Sequence, residues 1–195
     1  MMTSQRSRYA TFGWVAAVCL VLDQLTKWLV VRYIPYPTYH PGSGAGEPIA
    51  LLGDAVWLVH VGNKGAAWGL GADHPGTKLV LVGLALAVLA FVWFKRREFL
   101  QELAGGQLAF GLFVGGAIGN VIDRVARDHV VDFVDVHLPF TLLGSNRWPA
   151  FNVADASICV GVALYFAFLW RQDRDLRRRI SEQAGRDTGS RSPGA

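Results

Sequence analysis

LVLVGLALAVLAFVWF, residues 79–94, is the stretch on which the fold turns: from Leu79 to Phe94 it carries no charge and no proline. A helix at a protein surface needs a polar face to meet water, and this one has none, so its solvent is lipid. Three further apolar runs accompany it. One spans about Tyr9 to Val31, interrupted by Asp23 and Lys27; one covers Leu103 to Ile122 without a charge; one runs from about Phe151 to Trp170 with Asp155 as its only charge. A bilayer core takes about 20 helical residues, so four transmembrane helices are expected at about 9–31, 78–94, 103–122 and 151–170. The first is not read as a cleaved leader, because DQLTK at 23–27 follows it in place of a small-residue cleavage site.

Composition agrees. The 195 residues are 52% hydrophobic and 17% charged, with mean hydropathy +0.28, against about 25% charged residues in soluble domains. A disordered chain is excluded. The net charge of +4 does not make a nucleic-acid surface, because Arg171, Arg174, Arg177, Arg178 and Arg179 crowd one short segment. Cys19 and Cys159 both fall inside apolar runs and are expected to be buried there, without a disulfide framework or zinc spacing. The chain reads as an all-α polytopic membrane domain over 1–171, with a charged tail over 172–195, helical at first and then disordered.

Basic residues orient it. Arg6 and Arg8 precede the first span, Lys95, Arg96 and Arg97 follow the second, and the arginine-rich segment follows the fourth. Both termini are therefore expected in the cytoplasm, with the long connections, roughly 32–77 and 123–150, outside. Those connections carry strand signals. PIALLGDAVWLVHVGN has apolar runs around a Gly-Asp turn, as in a hairpin at the membrane surface. VVDFVDVHL alternates, which sets Asp132 and Asp135 on opposite faces of a strand. Gly111, Gly115 and Gly119, with Gly116 beside them, form a small-residue stripe for close helix packing.

The unusual polar groups fall at one membrane level. Asp23 and Lys27 lie in the outer half of the first span, Asn120, Asp123 and Arg124 end the third, and Asn152 and Asp155 begin the fourth. Asn63 and Asp132 belong to the outer connections. An ionisable residue at mid-bilayer costs roughly 2.5 kcal/mol or more, so such residues need partners or a task. Each has a structural reading. Asp23 and Lys27 can neutralise each other at i,i+4, Asn120 to Arg124 can tie off a helix end, and Asn152 with Asp155 resembles a helix N-cap. His129, Asp132, Asp135 and His137 could suggest a metal, but alternation divides them. No serine or cysteine is set beside a base. What remains is water activation by two acids, one keeping its proton while the other acts as base. A proton-coupled transporter with Asp23, Lys27 and Asp155 as a relay, or a lipid-binding scaffold, are the competing readings.

The motifs DQLTK at 23–27, NKGAAWG at 63–69, GGAIGNVIDR at 115–124, VVDFVDV at 130–136 and FNVADASI at 151–158 resemble those of the lipoprotein signal peptidases (signal peptidase II), in order and from about Val21 to Val160. The resemblance implies a four-helix inner-membrane aspartyl protease with an extracytoplasmic β-rich cradle. It implies removal of signal peptides from diacylglyceryl-modified prolipoproteins, cut before the lipidated cysteine. By motif, Asp132 and Asp155 are the implied catalytic pair, with Asp123 the competitor for the first place. Asn120, Asp123, Arg124, Asn63, Gly65 and Asn152 would order the site and hold the substrate, and Asp23 with Lys27 would brace the first span. No cofactor or metal is implied; the implied partners are the prolipoprotein and membrane lipid. The oligomeric state is not fixed by the sequence, and a monomer is expected. The chain departs from the family's pattern at Trp68, commonly Phe, in the longer segment containing TLLGSNRW, and in YPTYHPGSGAGEP, which reads as a mobile extension.

Overall fold

The computed structural model describes the chain except residues 1, 45, 67–69, 73, 102, 104, 143 and 190–195, so Trp68 and the end of the tail lie outside the described residues. Four helices, α1 (Met2–Tyr33), α2 (Thr77–Gln101), α3 (Gly106–Arg127) and α4 (Val153–Gly189), carry four strands, β1 (Ile49–Leu52), β2 (Val56–Asn63), β3 (Val130–Leu142) and β4 (Ser145–Phe151). Each helix is long and apolar enough to cross a membrane. Their outward faces are apolar: Leu79, Phe94, Trp14 and Trp170 are all more than two-thirds exposed, as suits helices set in lipid.

Helix ends differ from the sequence expectation by a few residues, for local reasons. α3 starts at Gly106 and not Leu103, because Gly105 takes φ +87°, a left-handed backbone that breaks the run. α4 starts at Val153, since Phe151 closes β4 and Asn152 caps the helix. At its other end α4 continues through the charged segment to Gly189.

Lipid supplies no hydrophobic drive between helices, so close contact and polar bonds must hold them. α3 is central, packing on α1, α4 and α2. Its glycines explain how. A Cβ at Gly115 would lie 2.6 Å from the carbonyl oxygen of Ala16 on α1, and one at Gly116 would strike the carbonyl oxygen of Ala154 on α4. The stripe is a packing surface, with one face for each neighbour. Cys19 lies in that packed interior, but Cys159 is exposed on α4, contrary to expectation; the apolar run around it is apolar towards lipid.

The sheet is antiparallel in the order β1-β2-β3-β4. The expected hairpin is β1–β2, and the alternating run is β3. β4 was not foreseen, because RWPAF has neither alternation nor a turn signal beyond Gly144. The sheet meets the bundle through Val30 and Ile34 of α1 packed on Val131 and Phe133 of β3. The segment expected to be a mobile extension is pinned at fully buried Thr38, whose backbone exchanges hydrogen bonds with His60 of β2 at 3.0 and 2.9 Å. The sheet thus sits at the bundle end where α1 and α3 finish and α2 and α4 begin.

Candidate active site

All the sequence-selected polar residues gather at that end, in two connected layers. The deeper layer is ionic. Lys27 Nζ lies 2.9 Å from Asp23 Oδ2 and 3.0 Å from Asp123 Oδ2, with all three side chains fully buried. Arg127, one turn after Asp123, pairs with its Oδ1. Two carboxylates and two cations balance, which buried charge requires. Gln24 Nε2 spans Asp23, Asp123 and the carbonyl of Gly119. Gly119 is glycine because a Cβ there would strike the Asp23 carboxylate.

This layer holds the backbone of the next. Asp23 Oδ1 accepts from Ala154 N at 2.9 Å, fixing the start of α4, and Asp123 Oδ2 accepts from Val131 N at 3.1 Å, fixing the start of β3. Those two segments carry Asp155 and Asp132. Asp123 is thereby fully engaged in structure, which separates it from Asp132 as a candidate acid.

In the upper layer Asn152 is the common partner. Its Nδ2 donates to Asp132 Oδ1 at 2.8 Å, while its backbone N–H donates to Asp155 Oδ2 at 3.2 Å and its Oδ1 accepts from Asp155 N at 2.9 Å. The last two are a reciprocal helix cap. The N-cap expected of Asn152 is present, and the same residue also reaches Asp132. Asn120 Nδ2 donates to Asp155 Oδ1 at 2.7 Å, and Asn63 Nδ2 to Asp132 Oδ2 at 3.0 Å. Asn63 Oδ1 also accepts from Gly65 N, and Gly65 O accepts from Arg124 Nη2 at 3.1 Å. Arg124 Nε is buried without a partner among the described residues.

Asp132 is 3% exposed. Burial first, and then the neighbouring Asp155 charge, push its carboxyl up to about 7 against the opposing bonds from Asn63 and Asn152 and the Lys27 charge.

The His/Asp group considered for a metal is dispersed. His129 stacks on Tyr36, His137 faces Asn146 at 2.7 Å, and Asp135 pairs with Arg147. Asp132 and Asp135 nevertheless line one cavity, contrary to simple alternation. The ladders slip on both sides of them, between Leu58 and Val61 and between Val134 and Val136, and such irregularities re-aim side chains. Gln24, Arg127 and Arg147 join the site without having been candidates from the sequence. The first two had a signal, adjacency to Asp23 and an i,i+4 step from Asp123; Arg147 had none.

A membrane-embedded enzyme is the class this architecture defines, and solved structures agree. Two bacterial membrane enzymes solved by the in meso method, at 2.3 and 1.9 Å, superpose with TM-scores of 0.69 and 0.66. They share 26% and 27% identity with this chain, covering 85% and 82% of it and 91% and 92% of their own lengths. The family model for signal peptidase (SPase) II matches residues 15–171, and the chain belongs to that family of proteases. Lipoprotein signal peptidases from Anoxybacillus flavithermus and Syntrophotalea carbinolica are 36% and 38% identical to it, over 87% and 80% of this chain and 90% and 89% of theirs. One from Janthinobacterium sp. is 39% identical over 77% of this chain and 82% of its own.

Proposed function

We propose that this protease is an aspartyl endopeptidase that cuts diacylglyceryl-modified prolipoproteins just before the lipidated cysteine, with Asp132 and Asp155 as its acids. The observation carrying the reading is Asn152, bonded to both carboxyl groups. Asn152 reaches Asp132 with its side-chain amide and Asp155 with its backbone N–H, and two acids gathered on one residue share a proton, because like charges resist ionising together. Asp132, pushed up to about 7, holds that proton at rest.

Asp155 takes a proton from water as the water oxygen attacks the scissile carbonyl carbon. The carbonyl π pair moves to its oxygen, which takes the Asp132 proton, giving a neutral tetrahedral diol. Asp132 then removes a hydroxyl proton while Asp155 delivers its own to the amide nitrogen, and the C–N bond breaks. The signal peptide leaves as a carboxylic acid and the lipidated cysteine with a free amine, and both aspartates return to their starting forms. Arg124, anchored on Gly65 and with Nε unspent, holds the substrate backbone or lipid head.

The basic residues Lys95, Arg96 and Arg97 and the arginines from Arg171 onward lie at the bundle end away from the sheet. By the positive-inside rule that end faces the cytoplasm with both termini, and the sheet forms an extracytoplasmic cradle at the outer leaflet. Both acids come from one chain, so a monomer suffices.

The test is cleavage of a lipidated prolipoprotein peptide by the reconstituted protein, with and without a chelator. Chelator-insensitive product beginning at the lipidated cysteine is expected. Undiminished cleavage by Asp132→Asn or Asp155→Asn would remove that residue from the pair.

A further inference from the structure

The cavity that reaches Asp132 does not stop there. It measures about 560 Å³, and its lining comes from residues 39–40, β2, β3 and β4, with none from the four helices. Val59, Val61, Trp148 and Pro149 make its walls apolar. Besides Asp132, the carboxylate and guanidinium that line it are Asp135 and Arg147, which are paired with each other.

Asp135 is the more buried of the two, its side chain 8% exposed against 21% for Arg147. Asp135 therefore holds the fork, and Arg147 presents it. A guanidinium carries five N–H donors in a fixed plane. Nη1 is engaged with Asp135 Oδ2, leaving donors for a group in the cavity. With its charge offset by Asp135, this fork suits oxygen acceptors in general and disfavours a cation.

The occupant follows from where the cavity lies. A signal peptide is apolar and remains with lipid, whereas the chain beyond the cut leaves the membrane. A cavity built wholly from sheet and loop takes that second part. We infer that Asp135 and Arg147 form a specificity subsite for the first residues after the lipidated cysteine. It favours side chains with an accepting oxygen, such as Ser, Asn or Asp, and disfavours Lys and Arg. This rests on Asp132 and Asp155 being the cutting pair.

The experiment uses full-length protein in lipid nanodiscs and two diacylglyceryl-cysteine lipobox peptides that differ only after the cysteine, Asn in one and Lys in the other. The wild type should prefer Asn by about tenfold in kcat/KM, expressed in KM. Arg147→Ala should turn the ratio towards Lys by leaving Asp135 unpaired in the cavity, and Arg147→Glu should turn it further. The same ratio read as binding to the Asp155→Asn protein, whose altered residue does not line the cavity, reports the subsite apart from cleavage. A wild-type ratio of one, or a ratio unmoved in both Arg147 variants, overturns the subsite. Cleavage persisting in Asp132→Asn strikes the cutting pair instead, and the binding ratio still decides the subsite.

Discussion

Lys27 Nζ donates to Asn120 Oδ1 at 3.0 Å, and Asn120 turns its Nδ2 to Asp155 at 2.7 Å. A buried cation thus fixes which way an amide points, since its oxygen must face Lys27 and its nitrogen must face the carboxylate. The ionic layer therefore orients the upper layer as well as supporting it.

Lys27→Met should be severely destabilising, because Asp23 would lose its cation and Asp123 one of its two. Stranding a buried charge in this way costs about 3–5 kcal/mol. Thermal unfolding in detergent measures it. The triple variant Asp23→Asn, Lys27→Met, Asp123→Asn should recover part of that loss, and a triple variant no more stable than the single one would contradict the charge argument.

Replacing either acid by its amide should leave a folded protein whose turnover falls roughly 10³-fold or more, in line with the loss of a general acid or base. Single-turnover cleavage of the lipidated peptide, set beside peptide binding, separates the chemical step from affinity.

The raised pKa of Asp132 has a stability consequence of definite sign. Between the unfolded value of 3.8 and about 7 the native state holds the proton more tightly than the unfolded chain, so stability falls as pH rises through this range. Above about 7 the cost of burying the charge is fully present, on the order of 4 kcal/mol. Asp132→Asn should therefore raise the melting temperature clearly at pH 8 and little at pH 4.5. Activity should decline on the alkaline side of about 7, as the shared proton is lost. An equal shift in melting temperature at both pH values would show that the carboxyl is not perturbed.

Gly119→Ala should displace the Asp23 carboxylate and destabilise by about 1–3 kcal/mol, with lost activity through the start of α4. Gly13→Ala is the control, since a Cβ there meets nothing within 4 Å. Thermal unfolding of both variants makes the comparison, and equal effects would argue against close packing at Gly119.

Much of this was readable in the chain itself, for a physical reason. Lipid demands uniform apolarity, so any charge within a span stands out, and Asp23, Lys27 and Asp155 are legible that way, with Asp123 just past the end of the third run. Asp132 stood out only through the motif around it. The sheet was less legible. A period of two predicts faces only while the ladder keeps register, and two slips bring Asp135 into the cavity with Asp132. Asn152 looked like an ordinary cap because its bond to Asp132 crosses from α4 to β3, and no local pattern encodes such a contact. Arg147 was invisible for the same reason, its partner lying across the β3–β4 turn.

α4 is one unbroken helix of 37 residues, roughly 55 Å long at 1.5 Å per residue, whereas the hydrocarbon layer is about 30 Å thick. Its arginine-rich half must project on the side away from the sheet as a stiff spar. The same rod begins at the turn that carries Asp155. The rod therefore ties the arginine-rich segment and the start of the helix that carries Asp155 into one continuous element.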